Sequence, residues 1–351
     1  MHDLKGTLYK WYKKNKRDLP WRQTNDPYKI WISEIILQQT RIEQGTGYYH
    51  KFTEEFPTVV DLATASEDKV LKLWQGLGYY SRARNLHRAA KMITEQHRGI
   101  FPDTYAEIRL LPGIGPYTAA AIASIAYGLA YPAIDGNVYR VLSRYFGIDT
   151  PIDSTKGKKE FQELAEELIS GSDPGMHNEA LMEFGALQCT PKSPDCENCP
   201  LISGCFAYKM KQIESLPVKA KKTKQSHRYF YYYLIEQGDD CYLEKREDND
   251  IWKNLYQFPL LETPKALNDR TIILQKIPFL PENSSCNFLS VSATRKHILS
   301  HRIIWARVIR IEVSKDVKIQ APYFKVNKKD ISKFAVPRLL ELFLEELNFE
   351  K

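Results

Sequence analysis

One glutamate, Glu34, lies among strongly apolar neighbours in the segment WISEIILQQT, where isoleucine, leucine and tryptophan residues surround it. An ionised carboxylate in such a setting costs free energy unless it is paired or takes up a proton. On a helix the side chain could reach solvent or an arginine, which is the ordinary role of a glutamate. The alternative is a carboxyl group whose pKa rises until it holds a proton that it can donate.

Four cysteines fall close together in the tract CTPKSPDCENCPLISGC, at Cys189, Cys196, Cys199 and Cys205. Four thiolates at this density are a strong indication of a metal site. Structural zinc sites more often pair two C-x2-C knuckles separated by a longer arm. A single tight tract also suits an iron–sulfur cluster. The spacing alone leaves zinc and iron–sulfur open.

Two further loops could aim polar groups at a ligand. LPGIGPYT carries Gly113 and Gly115, which permit positive φ, just before a helix whose free N–H groups suit a phosphate oxygen. An ordinary helix–turn–helix corner would have the same pattern. In AIDGNVYR, Asp135 precedes another helix, either as a simple N-cap or as a carboxylate aimed into a cleft.

Two regions of different character must position these groups. Residues 1–215 have apolar residues at spacings of three and four with short Gly and Pro breaks, which predicts an all-α domain. Segments such as YFYYYLIEQ and RIIWARVIRIEVS then predict strands of an antiparallel sheet in an α+β domain, and VPRLLELFLEEL predicts a last helix. We place the domains at 1–214 and 229–351, with a basic linker at 215–228.

The composition is that of a folded protein, with 43% hydrophobic and 26% charged residues. The formal net charge of +7 lies wholly in residues 216–351, since basic and acidic residues are equal in number before them. A basic surface suggests a polyanionic partner, although a solvated surface explains a modest excess equally well. We find no secretory signal and no apolar run of membrane-spanning length, so we expect a cytoplasmic protein without membrane contact.

Taken together, the motifs resemble the adenine DNA glycosylases of the endonuclease III superfamily. The matching stretches occur in the family's order within residues 17–205: LPWR, WISEIILQQT, GLGYYSRARNL, LPGIGPYTA, DGNVYRVLSR, NEALMEFGA and the cysteine tract. Weaker matches, LYQFP and ILSHR, extend into the second domain. The resemblance implies a two-lobed, all-α helix–hairpin–helix domain with a [4Fe–4S] cluster on the four cysteines, followed by a Nudix-like domain. The catalytic Nudix pattern is missing, so we expect that domain to bind nucleotides without hydrolysing them.

The resemblance also implies a reaction. A monofunctional enzyme would flip adenine out of double-stranded DNA, where it is mispaired with 8-oxoguanine or guanine, and hydrolyse its N-glycosidic bond. Glu34 would act as general acid and base, and Asp135 would stabilise the oxocarbenium ion, with Tyr117 and Asn137 beside it. Endonuclease III has a lysine where this chain has Tyr117, and a phenol cannot form the Schiff base of a lyase.

Matching positions imply further site residues. Around the flipped adenine they are Arg17, Trp21, Arg22, Leu37 and Glu179. For contacts with DNA and 8-oxoguanine they are Gln39, Tyr79, Gly113, Gly115, Leu299, Ser300 and His301. Leu299 departs from the phenylalanine of the family's Phe-Ser-His loop, which removes aromatic stacking worth roughly 1 kcal/mol. Tyr139 stands where a lysine is common, so we expect one phosphate contact to be missing.

Two other classes of protein could have some of these features. A non-catalytic iron–sulfur protein could bind DNA with the same hairpin, but it would not need the acid at Glu34. A Nudix-type pyrophosphatase is disfavoured because its metal-binding carboxylates are missing. A monomer is the default expectation.

Overall fold

The computed structural model describes residues 4–220, 225–247, 249–274, 277–282 and 284–347. The chain forms two compact units, one of Met1–Thr64 with Asn85–Lys221 and the other of Ala65–Arg84 with Lys222–Lys351. Residues 65–84 therefore belong to the same unit as the C-terminal residues, although the helical region surrounds them in sequence. The boundary at 215–228 stays a prediction, and its residues 221–224 lie outside the described residues.

Helices make up the first unit and also occur in the second. In chain order they are α1 (Leu4–Asn15), α2 (Pro27–Leu37), α3 (Ile42–Glu55), α4 (Val59–Thr64), α5 (Glu67–Leu73), α6 (Ser81–Gln96), α7 (Tyr105–Leu110), α8 (Pro116–Tyr127), α9 (Gly136–Phe146), α10 (Thr155–Ile169), α11 (Pro174–Leu187), α12 (Phe206–Lys209), α13 (Asp269–Leu274) and α14 (Arg338–Glu346). Short 3-10 helices lie at Pro20–Arg22, Ile202–Gly204 and Lys328–Lys333. Side-chain N-caps begin several helices, at Asp26, Ser66, Thr104, Asp135, Ser154 and Asp173.

The helices of the first unit pack in two groups. α2 packs against α3 and α8, while α11 packs against α1, α9 and α10. The second group encloses an apolar core that includes Leu8, Leu142, Phe161 and Phe184. Contact between α8 and α11 joins the groups. This arrangement agrees with the predicted two-lobed, all-α domain, and within the described residues no strand precedes Ser226.

Strands β1 to β8 form the sheet of the second unit. They are β1 (Ser226–Gln237), β2 (Asp240–Lys245), β3 (Tyr256–Gln257), β4 (Leu260–Thr263), β5 (Cys286–Val291), β6 (Arg295–Ile298), β7 (Arg302–Val313) and β8 (Phe324–Asn327). β1 is buried on both faces along most of its length. Phe230, Tyr232 and Leu234 point to the face that α14 covers, and Tyr231 and Tyr233 point to the opposite core.

The expectation of an antiparallel sheet is wrong for the central pair of strands. β1 and β7 run parallel over eleven residue pairs, from Ser226 with Arg302 to Glu236 with Glu312, whereas the other described pairs are antiparallel. Parallel pairing requires a long connection, and more than sixty residues separate these two strands in sequence. The sheet is therefore mixed, in an α+β unit as predicted.

A search of the described helices for a membrane-spanning segment finds none of sufficient length and apolar character.

Candidate active site

A cavity of about 770 Å³ opens in the first unit. Residues of α2, α8 and α11 line it, together with the N-terminal end of α9 and the Pro20–Arg22 turn. The predicted site residues in its wall are Arg17, Trp21, Arg22, Glu34, Leu37, Gln39, Gly113, Gly115, Tyr117, Asp135, Asn137 and Glu179. Its volume is in the range of small-molecule sites. The cavity thus brings together residues that are far apart in sequence.

Glu34 lies on α2 and is only 8% exposed. The helix is enclosed, so that every residue from Ile30 to Ile36 is buried. Burial raises the pKa of Glu34 from 4.5 to about 7; a hydrogen bond with Tyr117 opposes this rise, and the charges of Asp135 and Glu179 add to it. A large fraction of Glu34 therefore holds a proton at neutral pH, which a general acid requires.

Tyr117 lies beside Glu34 at the start of α8, where Pro116 occupies the first helical position. Its hydroxyl is 3.2 Å from the Met182 sulfur and also interacts with the Glu34 carboxyl. A carboxyl oxygen is a stronger acceptor than a thioether sulfur, so we assign the hydroxyl proton to Glu34. Burial raises the pKa of Tyr117 well above 10, which keeps the phenol neutral and able to donate.

Asp135 is both an N-cap and a wall residue of the cavity. Its Oδ1 accepts hydrogen bonds from the backbone N–H groups of Asn137, at 2.9 Å, and Val138, at 2.8 Å. Asn137 Nδ2 donates to Asp135 Oδ2 at 2.7 Å. Burial raises the pKa of Asp135, and these hydrogen bonds oppose the rise. Three donors and a helix N-terminus thus favour the carboxylate form.

A network of ion pairs forms another wall of the cavity. Arg17 and Arg22 both donate to Glu183, with N···O distances of 2.6 to 3.0 Å. Arg22 also lies 3.7 Å from Glu179, which accepts a 2.8 Å hydrogen bond from Tyr12. The sequence reasoning missed Glu183. Its spacing of four from Glu179 on one helix could have indicated a shared face.

Helix α7, the loop that follows it and helix α8 form a helix–hairpin–helix motif. Gly113 has φ of +80°, and a Cβ atom there would lie 2.6 Å from the Cβ of Asn85. Arg109 donates to the Ile114 carbonyl at 2.6 Å and so braces the turn. Gly115 has φ of −84° and serves as the N-cap of α8. Only Gly113 therefore needs the positive φ that we expected at both glycines.

Other predicted residues of the first unit occupy distinct settings. Trp21 is 7% exposed and packs edge-on against Tyr49, with ring centroids 5.4 Å apart. Gln39, just after α2, has φ of +59°, a conformation that non-glycine residues rarely adopt. Tyr139 packs edge-on against Phe161 at 5.0 Å, so its ring contributes to the helical core.

Four predicted residues meet in the second unit, around a cavity of about 440 Å³: Tyr79, Leu299, Ser300 and His301. The last three form the turn between β6 and β7, where the Leu299 N–H donates to the Arg302 carbonyl at 2.8 Å. Tyr79 is 46% exposed, has φ of +48°, and its hydroxyl lies 2.9 Å from Ser300 Oγ. Leu299 packs partly against the apolar core of the unit.

The cysteines of the tract are reduced and surround a small cavity of about 30 Å³: Cys189, Cys196, Cys199 and Cys205. Arg144, which is buried, approaches Cys189 Sγ with Nη1 at 3.4 Å. Burial raises the pKa of Cys199 to about 11. Among the described residues, no group of three or more His, Cys, Asp or Glu side chains is arranged to hold a metal ion.

Comparison with protein families matches both parts of the chain. Residues 32–170 match the HhH-GPD superfamily of base-excision DNA repair proteins. The matched range includes the hairpin and the cavity residues Glu34, Tyr117 and Asp135. Residues 230–346 match the NUDIX domain. The second match agrees with the predicted Nudix-like fold of the sheet.

Solved structures share the fold of the helical part. A thermostable thymine-DNA glycosylase is 32% identical, with a TM-score of 0.55, over 58% of this chain and 94% of that chain. A trapped endonuclease III–DNA covalent intermediate aligns with a TM-score of 0.52 at 22% identity, over 59% and 94% of the two chains. The latter likeness concerns the fold alone.

Relatives named adenine DNA glycosylase match this chain over 61% to 97% of its length. The protein of Buchnera aphidicola subsp. Acyrthosiphon pisum is 34% identical over 97% of this chain and 96% of its own length. That of Schizosaccharomyces pombe is 31% identical over 93% and 86%, and the human protein is 43% identical over 61% and 41%. The chain belongs to the adenine DNA glycosylases, hydrolases that act on N-glycosyl bonds and remove adenine in base-excision repair, within the helix–hairpin–helix superfamily.

Proposed function

We propose that this glycosylase removes adenine mispaired with 8-oxoguanine or guanine in double-stranded DNA, by hydrolysis alone and without a lyase step. The observation that carries the proposal is the buried Glu34 in the same cavity as a second carboxylate, Asp135. Two carboxyl groups with differently tuned environments are the usual means of breaking a glycosidic bond. We further propose that the enzyme acts as a monomer in the cytoplasm.

Glu34 is the proposed general acid. Adenine is a poor leaving group as an anion, and protonation of its ring lets it depart as a neutral molecule. With a pKa of about 7, Glu34 can hold that proton at neutral pH. After the bond breaks, the resulting carboxylate can accept a proton from the attacking water. The hydroxyl of Tyr117 supports both states, because it can donate to either form of the carboxyl group.

Asp135 is the proposed partner of the positive sugar. Loss of the base leaves an oxocarbenium ion, which a nearby carboxylate stabilises. Asn137 holds Asp135 in place with its 2.7 Å hydrogen bond. Because the residue at position 117 is a phenol, no amine is offered there for a Schiff base. We therefore propose a monofunctional enzyme.

The flipped adenine would occupy the 770 Å³ cavity, with the apolar Trp21 and Leu37 and the charged Arg17, Arg22 and Glu179 around it. The hairpin at Gly113 and Gly115 would bind a phosphate through its free N–H groups. Gln39 and Tyr79 would enter the base stack beside the lesion. Both residues have positive φ, a strained backbone conformation that is frequent at functional sites. Leu299, Ser300 and His301 would recognise 8-oxoguanine.

The four cysteines are proposed to hold a [4Fe–4S] cluster. Their side chains surround one cavity without forming disulfides. Burial raises the pKa of Cys196, Cys199 and Cys205 and so disfavours these three thiolates unless a positive group is bound. Arg144 donates a hydrogen bond to Cys189 Sγ, and such hydrogen bonds are usual at the sulfur ligands of iron–sulfur clusters. A bound cluster would supply a cross-link that fixes the loop. We assign it no step of base excision.

Single-turnover excision tests the proposed function. Duplexes with adenine opposite 8-oxoguanine, guanine, cytosine or thymine are incubated with enzyme, and each sample is divided before alkali is added to one half. We expect strand scission only in the alkali-treated half, fastest opposite 8-oxoguanine and then guanine. Scission without alkali, or abundant trapping by borohydride, would disprove a hydrolysis-only enzyme.

Ser300→Ala should narrow the preference for 8-oxoguanine over guanine several-fold, since one hydrogen bond contributes about 1 kcal/mol.

Metal analysis tests the cluster. We expect iron and acid-labile sulfide in the purified protein, in the ratio that the cluster formula gives. Cys196→Ser should lower both, because it removes one of four thiolate ligands. Cys286→Ser is the matched control, since that cysteine is not part of the tract and belongs to the second unit, and it should leave the iron content unchanged. A zinc ion without iron would rule the cluster out.

A further inference from the structure

Glu183 is the most thoroughly bonded carboxylate of the catalytic cavity. It is 1% exposed and lines the cavity from α11. Arg17 donates to it from its backbone N at 2.8 Å, from Nε at 2.9 Å and from Nη2 at 2.6 Å. Arg22 donates from Nη1 at 3.0 Å and from Nη2 at 2.9 Å. One carboxylate thus holds two guanidinium groups, both of which face the cavity.

We propose that Glu183 is a positioning residue for excision, which fixes Arg17 and Arg22 in the cavity wall and cancels the charge of one of them. This inference rests on the proposed role of Glu34. Two unneutralised guanidinium groups would repel one another, and Arg22, whose side chain is 11% exposed, would be costly to bury without a partner. The carboxylate between them leaves a net charge of one and a bidentate geometry for each arginine.

The charge balance reaches Glu34 through Arg22. The charged and titratable groups that act on Glu34 are Tyr117 from α8, Asp135 at the start of α9, Glu179 from α11 and Arg22 from the Pro20–Arg22 turn. Of these, the hydrogen bond from Tyr117 and the positive charge of Arg22 favour the ionised form of Glu34. Glu183 neutralises part of that influence and so helps Glu34 to keep its proton.

Glu183 itself stays ionised throughout the working range. Burial alone would raise the pKa of Glu183, but the hydrogen bonds from Arg17 and Arg22 outweigh it and bring the pKa to about 2. The groups around it are these two arginines, with Glu179 on the same helix and Tyr12 from α1. Its effect on excision is therefore a constant negative charge, and it does not titrate with Glu34.

The pH dependence of single-turnover excision separates this role from a purely structural one. Excision rates are measured on a duplex that contains an adenine–guanine mispair, between pH 5.5 and pH 9 in steps of about half a pH unit. The proteins compared are the wild type, Glu183→Gln, Glu183→Asp and Arg17→Gln. The rate should fall at alkaline pH as Glu34 loses its proton, and we call this fall the alkaline limb. Glu183→Gln should move the alkaline limb to lower pH by on the order of half a unit to one unit. At pH 8 that shift corresponds to a rate about three to ten times lower than wild type.

The other variants provide the controls. Glu183→Asp keeps the charge, so its limb should stay at the wild-type pH even if the rate falls. Arg17→Gln leaves Glu183 to neutralise Arg22 alone, so the influence of Arg22 on Glu34 should weaken and the limb should move to higher pH. This variant keeps Glu183 and tests the proposal if Glu183→Gln does not fold. The double variant Arg17→Gln with Glu183→Gln has the wild-type net charge, and its limb should return to the wild-type position.

Each outcome has a definite meaning. If the limbs of Glu183→Gln and Arg17→Gln both coincide with that of the wild type, or if the double variant stays shifted, the proposed role of Glu183 is wrong. If the wild type has no alkaline limb, or if Glu34→Gln excises adenine normally, the role of Glu34 fails instead. The two failures are therefore distinguishable in one set of measurements.

Discussion

Glu34→Gln is expected to lose adenine excision by roughly 10³- to 10⁴-fold while retaining duplex binding. Glutamine has the size and the neutral charge of a protonated glutamic acid, so the buried site should accept it without a cavity or an unpaired charge. It has no acidic proton, however, and it cannot serve as a base for the attacking water. The loss should appear in the rate of the chemical step.

Single-turnover rates and equilibrium binding are measured on the same adenine–guanine duplex. Glu95→Gln makes the same substitution at an exposed position of α6 that does not line the cavity, and it should excise adenine at the wild-type rate. A non-catalytic DNA-binding protein would be unaffected by either change. If Glu34→Gln cleaves at the wild-type rate, the acid lies elsewhere.

Asp135→Asn is expected to lower the excision rate by roughly 10²- to 10³-fold. Asparagine is as good an N-cap as aspartate, so α9 should form as before. The amide has no charge, and it cannot stabilise the oxocarbenium ion as the carboxylate does. The variant therefore separates the capping role of Asp135 from its catalytic role.

Thermal unfolding and single-turnover excision of Asp135→Asn are compared with those of Asp173→Asn, another N-cap of the same unit. Both variants should unfold within a few degrees of the wild type. Only Asp135→Asn should lose excision. Equal activity of the two variants would mean that Asp135 is a helix cap and nothing more.

Features that depend on residues close together in the sequence could be predicted. The apolar neighbours of Glu34 indicated a costly site for a charge, and that side chain is buried. The hairpin glycines and the cysteine tract were equally visible, because their spacing is short. The family resemblance then supplied the residues expected around adenine, and all of them line the cavity. Tyr139, expected to lack a phosphate contact, packs in the helical core.

Features that depend on distant pairing were not predictable from the residues alone. Glu183 resembles an ordinary helix glutamate until Arg17 and Arg22, more than 160 positions earlier, are brought against it. The parallel pairing of β1 and β7 likewise depends on a long connection. Residues 65–84 join the second unit through side-chain contacts, such as those of Asp68 with Lys245 and of Gln75 with Glu341, which no local pattern encodes.

The protonation state of Glu34 is the central claim, and infrared difference spectroscopy measures it directly. Spectra of the wild type minus Glu34→Gln, recorded as a function of pH, isolate the carbonyl band of this one protonated carboxyl group. We predict that the band disappears with a midpoint near pH 7, as the pKa of about 7 requires. A midpoint near the ordinary value of about 4.3 for glutamate would mean that Glu34 is ionised at neutral pH and would contradict its role as the acid.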